Sequence, residues 1–269
     1  MTHPHNIPTA ALAALIALLA PASALAHNGE THRVDLHEGY AYDSCYFDLH
    51  SELTEEQFKQ LAAEAGQIIY FRQVASAETL GQWNFDISLG ASYSLLDDTK
   101  PAWNNTMTHP GDDHYLGQAL LIPQLTLRLG VTDDVDVETY VSGNPSSNYG
   151  FVGLAAKVRV LNEQHGLPLS LSIRPNVAAL LGPEETQIWT FGTDVAVSRN
   201  FGGLAPFAGI GLNSHLAVDS SDDTDVGNQL AFRAVPFAGL DYTWGALSVG
   251  AQAEVSSLPI FSARLGARL

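Results

Sequence analysis

Residues 121–141, LIPQLTLRLGVTDDVDVETYV, read as two extended segments folded back on each other at Thr132 and Asp133. In the first, Leu121, Pro123, Leu125, Leu127, Leu129 and Val131 share one face, opposite Gln124, Thr126, Arg128 and Gly130. In the second, Val135, Val137, Thr139 and Val141 alternate with Asp134, Asp136, Glu138 and Tyr140. A period of two is the signature of strands. The same rhythm returns to the end of the chain, and the faces that a soluble sheet would present to water hold few lysines. The pattern therefore predicts an all-β fold: a transmembrane antiparallel up-and-down β-barrel, apolar towards lipid and polar towards its lumen.

Working outward, strands are expected over 83–95, 150–161, 167–178, 189–199, 204–218, 230–242, 246–255 and 260–269, which with the first pair makes ten. The connections alternate between long and short almost throughout, as outer loops and periplasmic turns do. Trp83, Trp189, Tyr242 and Trp244 fall at strand ends, where aromatic girdles sit at membrane interfaces. Twelve strands are the alternative, if Gln67–Val74 and a partner near Tyr40 join the wall.

The net charge of −17 and the 46% hydrophobic content suit many classes, because a barrel hides its membrane character in alternation. The acidic balance argues against nucleic acid as a partner. Residues 1–26 read as a signal peptide: an apolar run from Ala10 to Ala20, then Ala24-Leu25-Ala26 as cleavage site. Beyond it no apolar run is long enough for a helical span. The single cysteine, Cys45, allows no internal disulfide.

Residues 27–82 differ from the barrel at 83–269. SELTEEQFKQLAAEAG predicts an amphipathic helix, capped by Thr54 with Gln57 closing a capping box and stopped at Gly66. Leu53, Phe58, Leu61, Ala62 and Ala65 form its apolar stripe. Gln67–Val74 reads as a brief strand. The segment is expected to be a periplasmic lead-in, a plug in the barrel mouth, or both.

Together the signal peptide, strand rhythm, loop rhythm and amphipathic last strand resemble a Gram-negative outer-membrane β-barrel of porin-like type. The last strand, FSARLGARL, is similar to the terminal signal read by the barrel-assembly machinery, with Leu269 where an aromatic is usual. LTLRLGVTDDVDVETYVSG followed by YGFVGLAAKVRVL resembles the porin-like family associated with aromatic-degradation operons, without the Asp that follows the glycine in that family's strand. The resemblance implies the cell outer membrane, with lipid and lipopolysaccharide as surroundings and small, hydrophobic solutes as passengers.

The expected inward faces set Asp86, Asp134, Asp136, Glu138, Asp194, Asp241 and Glu254 against Arg128, Lys157, Arg159, Arg174, Arg233, Arg264 and Arg268. These seven acids and seven bases leave the lumen near neutrality. Arg128, Asp134, Asp136, Glu138, Lys157, Arg159 and Arg174 are the expected cluster, either an ion-pair brace of the wall or a selectivity element for passing solutes. The working function is a channel for passive passage of small solutes. The alternatives are a structural or adhesive barrel without an open pore and a hydrolase built at the outer rim from His109, Asp112, Asp113 and His114, with Ser214 and His215. No motif fixes a catalytic residue, a metal site or a cofactor, so a non-enzyme is expected.

Overall fold

In the computed structural model, which describes residues 32–33, 41–42, 46–47, 49–96, 100–108, 119–143 and 149–269, the strands close into one barrel. They are β1 (Phe85–Leu95), β2 (Ala119–Gly130), β3 (Val135–Gly143), β4 (Gly150–Leu161), β5 (Ser170–Leu181), β6 (Thr186–Ser198), β7 (Leu204–Asp219), β8 (Gln229–Trp244), β9 (Leu247–Glu254) and β10 (Ile260–Arg268). Each pairs antiparallel with its neighbour in sequence. β10 pairs with β1 to close the ring, and Phe85 and Leu269 exchange backbone hydrogen bonds of 3.0 and 2.8 Å at the seam. A closed barrel leaves no unpaired edge, the condition for a sheet surrounded by lipid.

The expected alternation is the observed one. Leu125, Val137, Val141, Leu154, Ile173, Phe191, Leu212, Leu240 and Phe261 lie exposed on the outside, while Asp86, Asp136, Glu138, Lys157 and Arg174 are buried within. Outward apolar side chains in every strand make the belt that a bilayer requires. Trp83, Tyr242 and Trp244 sit at one rim and Tyr93, Trp189 and Phe232 near the other. The turns 131–134, 199–203 and 245–246 share the first rim, with 162–169 the longest there; residues 100–108 and the connections 182–185, 220–228 and 255–259 belong to the opposite rim. We call them the turn rim and the loop rim.

A ten-stranded ring is wider than its own side chains fill, and residues 55–77 occupy the space. Helix α1 (Glu55–Ile69) has the expected start: Gln57 N–H donates to Thr54 Oγ1 and Thr54 N–H to Gln57 Oε1. It does not stop at Gly66. The stripe continues through Ile68 and Ile69, and the helix ends at Tyr70. Phe58, Leu61, Ala62, Ala65, Ile68 and Ile69 pack on Ile122, Phe151, Ala178, Leu180, Ile188, Ala217 and Ile260 of the wall, forming an apolar core in the loop-rim half. Gly66 is needed for contact rather than termination, because a Cβ there would lie 2.4 Å from the His215 ring.

Gln67–Val74 is not a strand, so the twelve-stranded alternative falls. A closed ring offers no edge to a further strand, and a short apolar run reads equally as helix or strand until tertiary context decides. From Tyr70 to Ala77 the chain is irregular and buried throughout. His32–Arg33 pairs with Ala41–Tyr42, and Tyr46–Phe47 with Met107–Thr108. Residues 1–26, His27 and Cys45 lie outside the described residues.

Tyr70 can enter the lumen because the wall opposite is Gly192, where a Cβ would sit 2.4 Å from the Tyr70 ring. Gly192→Val is expected to destabilise the folded barrel by about 1–3 kcal/mol through overpacking. Urea titration in detergent micelles checks this, and an unchanged midpoint would show that the ring has room to move.

Candidate functional site

The lumenal segment runs from one rim to the other, and its contacts follow the same order. At the loop rim Leu49 N–H donates to Glu185 Oε2 at 2.6 Å and His50 N–H to the Asn105 carbonyl at 2.9 Å. Between β1 and β2 lies a short helix, α2 (Pro101–Asn104). Its Trp103 Nε1 donates to Glu64 Oε2 at 2.6 Å, and Lys100 lies 3.5 Å from the same carboxylate. Gln67 Nε2 reaches Ser256 Oγ at 2.8 Å and the Leu258 carbonyl at 3.1 Å.

Arg174 is the hub of the middle layer. Its Nε meets Glu138 at 2.8 Å, and its Nη1 meets Asp194 at 3.0 Å and the Phe71 carbonyl at 2.7 Å. Its guanidinium carbon stands 4.3 Å from the Phe71 ring centre. Tyr70 OH donates to Asp194 Oδ1 at 2.7 Å and accepts from Asn176 at 2.6 Å. Tyr140 OH donates to the Ile69 carbonyl. Arg72 pairs with Glu254 at 2.8 Å. Lys157 Nζ lies 3.8 Å from Asp136 and 3.9 Å from Glu138, and donates to the Glu78 carbonyl at 2.8 Å.

Towards the turn rim the segment leaves the lumen. Val74 N–H donates to Gln252 at 3.2 Å, Ser76 N–H to Asp241 at 3.3 Å and Ala77 N–H to Ser198 Oγ at 3.1 Å. Arg264 donates to Asp241 at 2.9 Å and to the Val74 carbonyl at 2.7 Å, while Asp86 is ringed by Arg128 at 3.4 Å and Arg264 and Arg268 at 3.6 Å each. Arg159 bridges Glu78 at 2.6 Å and Asp134 at 2.8 Å. Leu80 N–H donates to Asp136 at 3.0 Å, and Trp83 N–H to the Gly130 carbonyl at 2.7 Å, delivering the chain into β1.

The expected cluster is thus divided. Asp136, Glu138, Lys157 and Arg174 share one buried group; Asp134 and Arg159 pair at the turn rim, with Asp134 largely exposed; Arg128 turns to Asp86. Sequence reasoning missed the partners supplied by the lumenal segment: Glu64, Gln67, Tyr70, Arg72 and Glu78. The available signal was Arg72-Gln73 directly after an apolar run, polar residues placed where no barrel strand could carry them.

Electrostatically this is a brace. Each middle-layer carboxylate has a cationic partner, and a guanidinium fork serves two at once. Two small voids, each of about 10 Å³, room for roughly one water, lie beside the irregular part of the segment. Ser214 and His215 point to opposite faces of β7, Ser214 outward and His215 inward against Gly66, so they do not form a pair. His109, Asp112, Asp113 and His114 lie outside the described residues. Among the described residues no group of three His, Cys, Asp or Glu is placed to hold a metal.

No family model matches the chain, and no curated protein matches it. Among solved structures it is similar to an outer-membrane channel from Pseudomonas putida F1, at 10% identity over 72% of this chain and 98% of that one, TM-score 0.45. It is similar to the KdgM porin at 9% identity over 67% and 98%, TM-score 0.33. It is also similar to Ail, the attachment invasion locus protein of Yersinia pestis, at 14% identity over 70% and 99%, TM-score 0.29. At these levels the comparisons do not separate one function from another. The protein's own architecture is the firmer ground: a closed antiparallel ring, apolar outside and charged inside, is the form in which strands cross a membrane. The chain is a closed antiparallel β-barrel of ten strands, with the apolar outside and charged inside of a barrel that spans a membrane.

Proposed function

We propose that the protein is a barrel closed by its own N-terminal segment, which it carries through its lumen and presents at the cell surface. Short turns face the periplasm in outer-membrane barrels, so the turn rim is periplasmic and the loop rim external. The observation that carries the reading is the order of contacts, from Leu49 at Glu185 on the loop rim to Trp83 at Gly130 on the turn rim. Leu49, where the described segment enters the lumen, then lies on the outer side. An epitope inserted directly after His27 is expected to bind antibody on intact cells. Binding only after the outer membrane is permeabilised would overturn the reading.

A second reading, passive passage of small solutes once the segment is displaced, is favoured by one observation. From Tyr70 to Ala77 the segment is held largely by hydrogen bonds and ion pairs, against a wall that is itself charged. Charged lumenal walls sort solutes in channels. Partners beyond lipid, lipopolysaccharide and the assembly machinery are not required by either reading.

A further inference from the structure

Arg128, Arg264 and Arg268 share two carboxylates, Asp86 and Asp241. Glu254 faces Arg72, and Glu138 and Asp136, which also attract Arg128, are engaged by Arg174 and Lys157. Arg128 is 3% exposed, yet its Nε and Nη2 have no hydrogen-bond partner among the described residues. Its contact with Asp86, 3.4 Å from Nη2, is longer than a charge-assisted hydrogen bond. An unsatisfied buried guanidinium is costly unless something else meets it.

Beside Arg128 lies the void of about 10 Å³ between the segment and strands β1, β2 and β10. Its polar lining is Arg72, Gln73, Ser88, Gln124, Thr126, Arg128, Ser262 and Arg264, all able to donate, with no carboxylate among them. A cation would find no charged ligand here. The size admits one species not much larger than water.

We infer that this void binds a single small anion of the halide class, held by Arg128 and Arg264 with hydroxyl donors from Ser88, Thr126 and Ser262. The anion meets the open donors of Arg128 and locks the irregular part of the segment against the wall. It stabilises the folded state in proportion to its occupancy.

The test uses the full mature chain in detergent. At fixed ionic strength, unfolding temperature in chloride or bromide is expected to exceed that in gluconate by roughly 2–4 °C. Arg128→Gln is expected to abolish the difference. A crystal grown in bromide is expected to give an anomalous peak between Arg128 and Arg264. Equal unfolding temperatures in all three salts, or a halide effect that survives in Arg128→Gln, would overturn the proposal. If Arg128→Gln does not fold, the wild-type bromide crystal decides, and water alone in the void would refute the site.

Discussion

Replacing Arg174 by methionine is expected to destabilise the folded barrel by about 3–5 kcal/mol, the loss typical when one partner of a buried ion pair is removed. The side chain is fully buried and joins β3, β5 and β6 to the lumenal segment through Glu138, Asp194 and the Phe71 carbonyl. Methionine keeps much of the stem's volume but leaves two carboxylates facing each other without their shared cation. Lys157 already serves Asp136 and Glu138 and makes no ion pair with Asp194 among the described residues. Adding Glu138→Gln to Arg174→Met is expected to recover part of the loss, because neutralising one acid removes the repulsion; the double-mutant cycle isolates that coupling. Urea titrations of the four proteins in micelles measure it. A loss below about 1 kcal/mol for Arg174→Met would place the group in the weak class of solvated pairs, and the lumen would have to be wet.

That hub was half legible in the sequence. Alternation alone put Glu138, Lys157, Arg174 and Asp194 on the inner face, because period two leaves a residue only two sides to choose between. Which inner residues meet is set by register and by what fills the lumen. Asp136 faces Lys157 across β3 and β4 in register, a pairing that the hairpin implied; Arg159, two residues on, meets Asp134 at the rim instead. The segment itself was harder to read. Thr54 and Gln57 announce the helix start by local chemistry, but the end at Ile69 and the absence of a strand in 67–74 follow from the closed ring. No local signal in Gln67–Val74 encodes the fact that every strand edge is already taken. Gly66 shows the same limit: it reads as a helix stop and acts as clearance for His215.

The full-length barrel is expected to be electrically silent in a planar bilayer, and the chain beginning at Trp83 to give discrete conductance steps. Phe58, Leu61, Ile68, Ile69 and Phe71 are each almost completely buried between the segment and the wall. At about 1.5–3 kcal/mol for each such side chain, exposing them to water costs on the order of 10 kcal/mol. Spontaneous withdrawal would then reach roughly one molecule in ten million, since each 1.4 kcal/mol is a factor of ten. Removal of the segment leaves a ten-stranded ring whose lower lumen is lined by Arg128, Asp136, Lys157 and Arg174, now hydrated. Asp136→Asn in the truncated barrel is expected to shift permeability towards anions, because it removes a negative charge from a narrow wall. Folding of both forms is checked by heat-modifiable migration in gels, which separates a silent barrel from an unfolded one. Steps from the full-length protein would overturn the closed state directly. Silence from a folded truncated barrel would eliminate passage through the lumen and leave surface presentation as the role that the geometry supports.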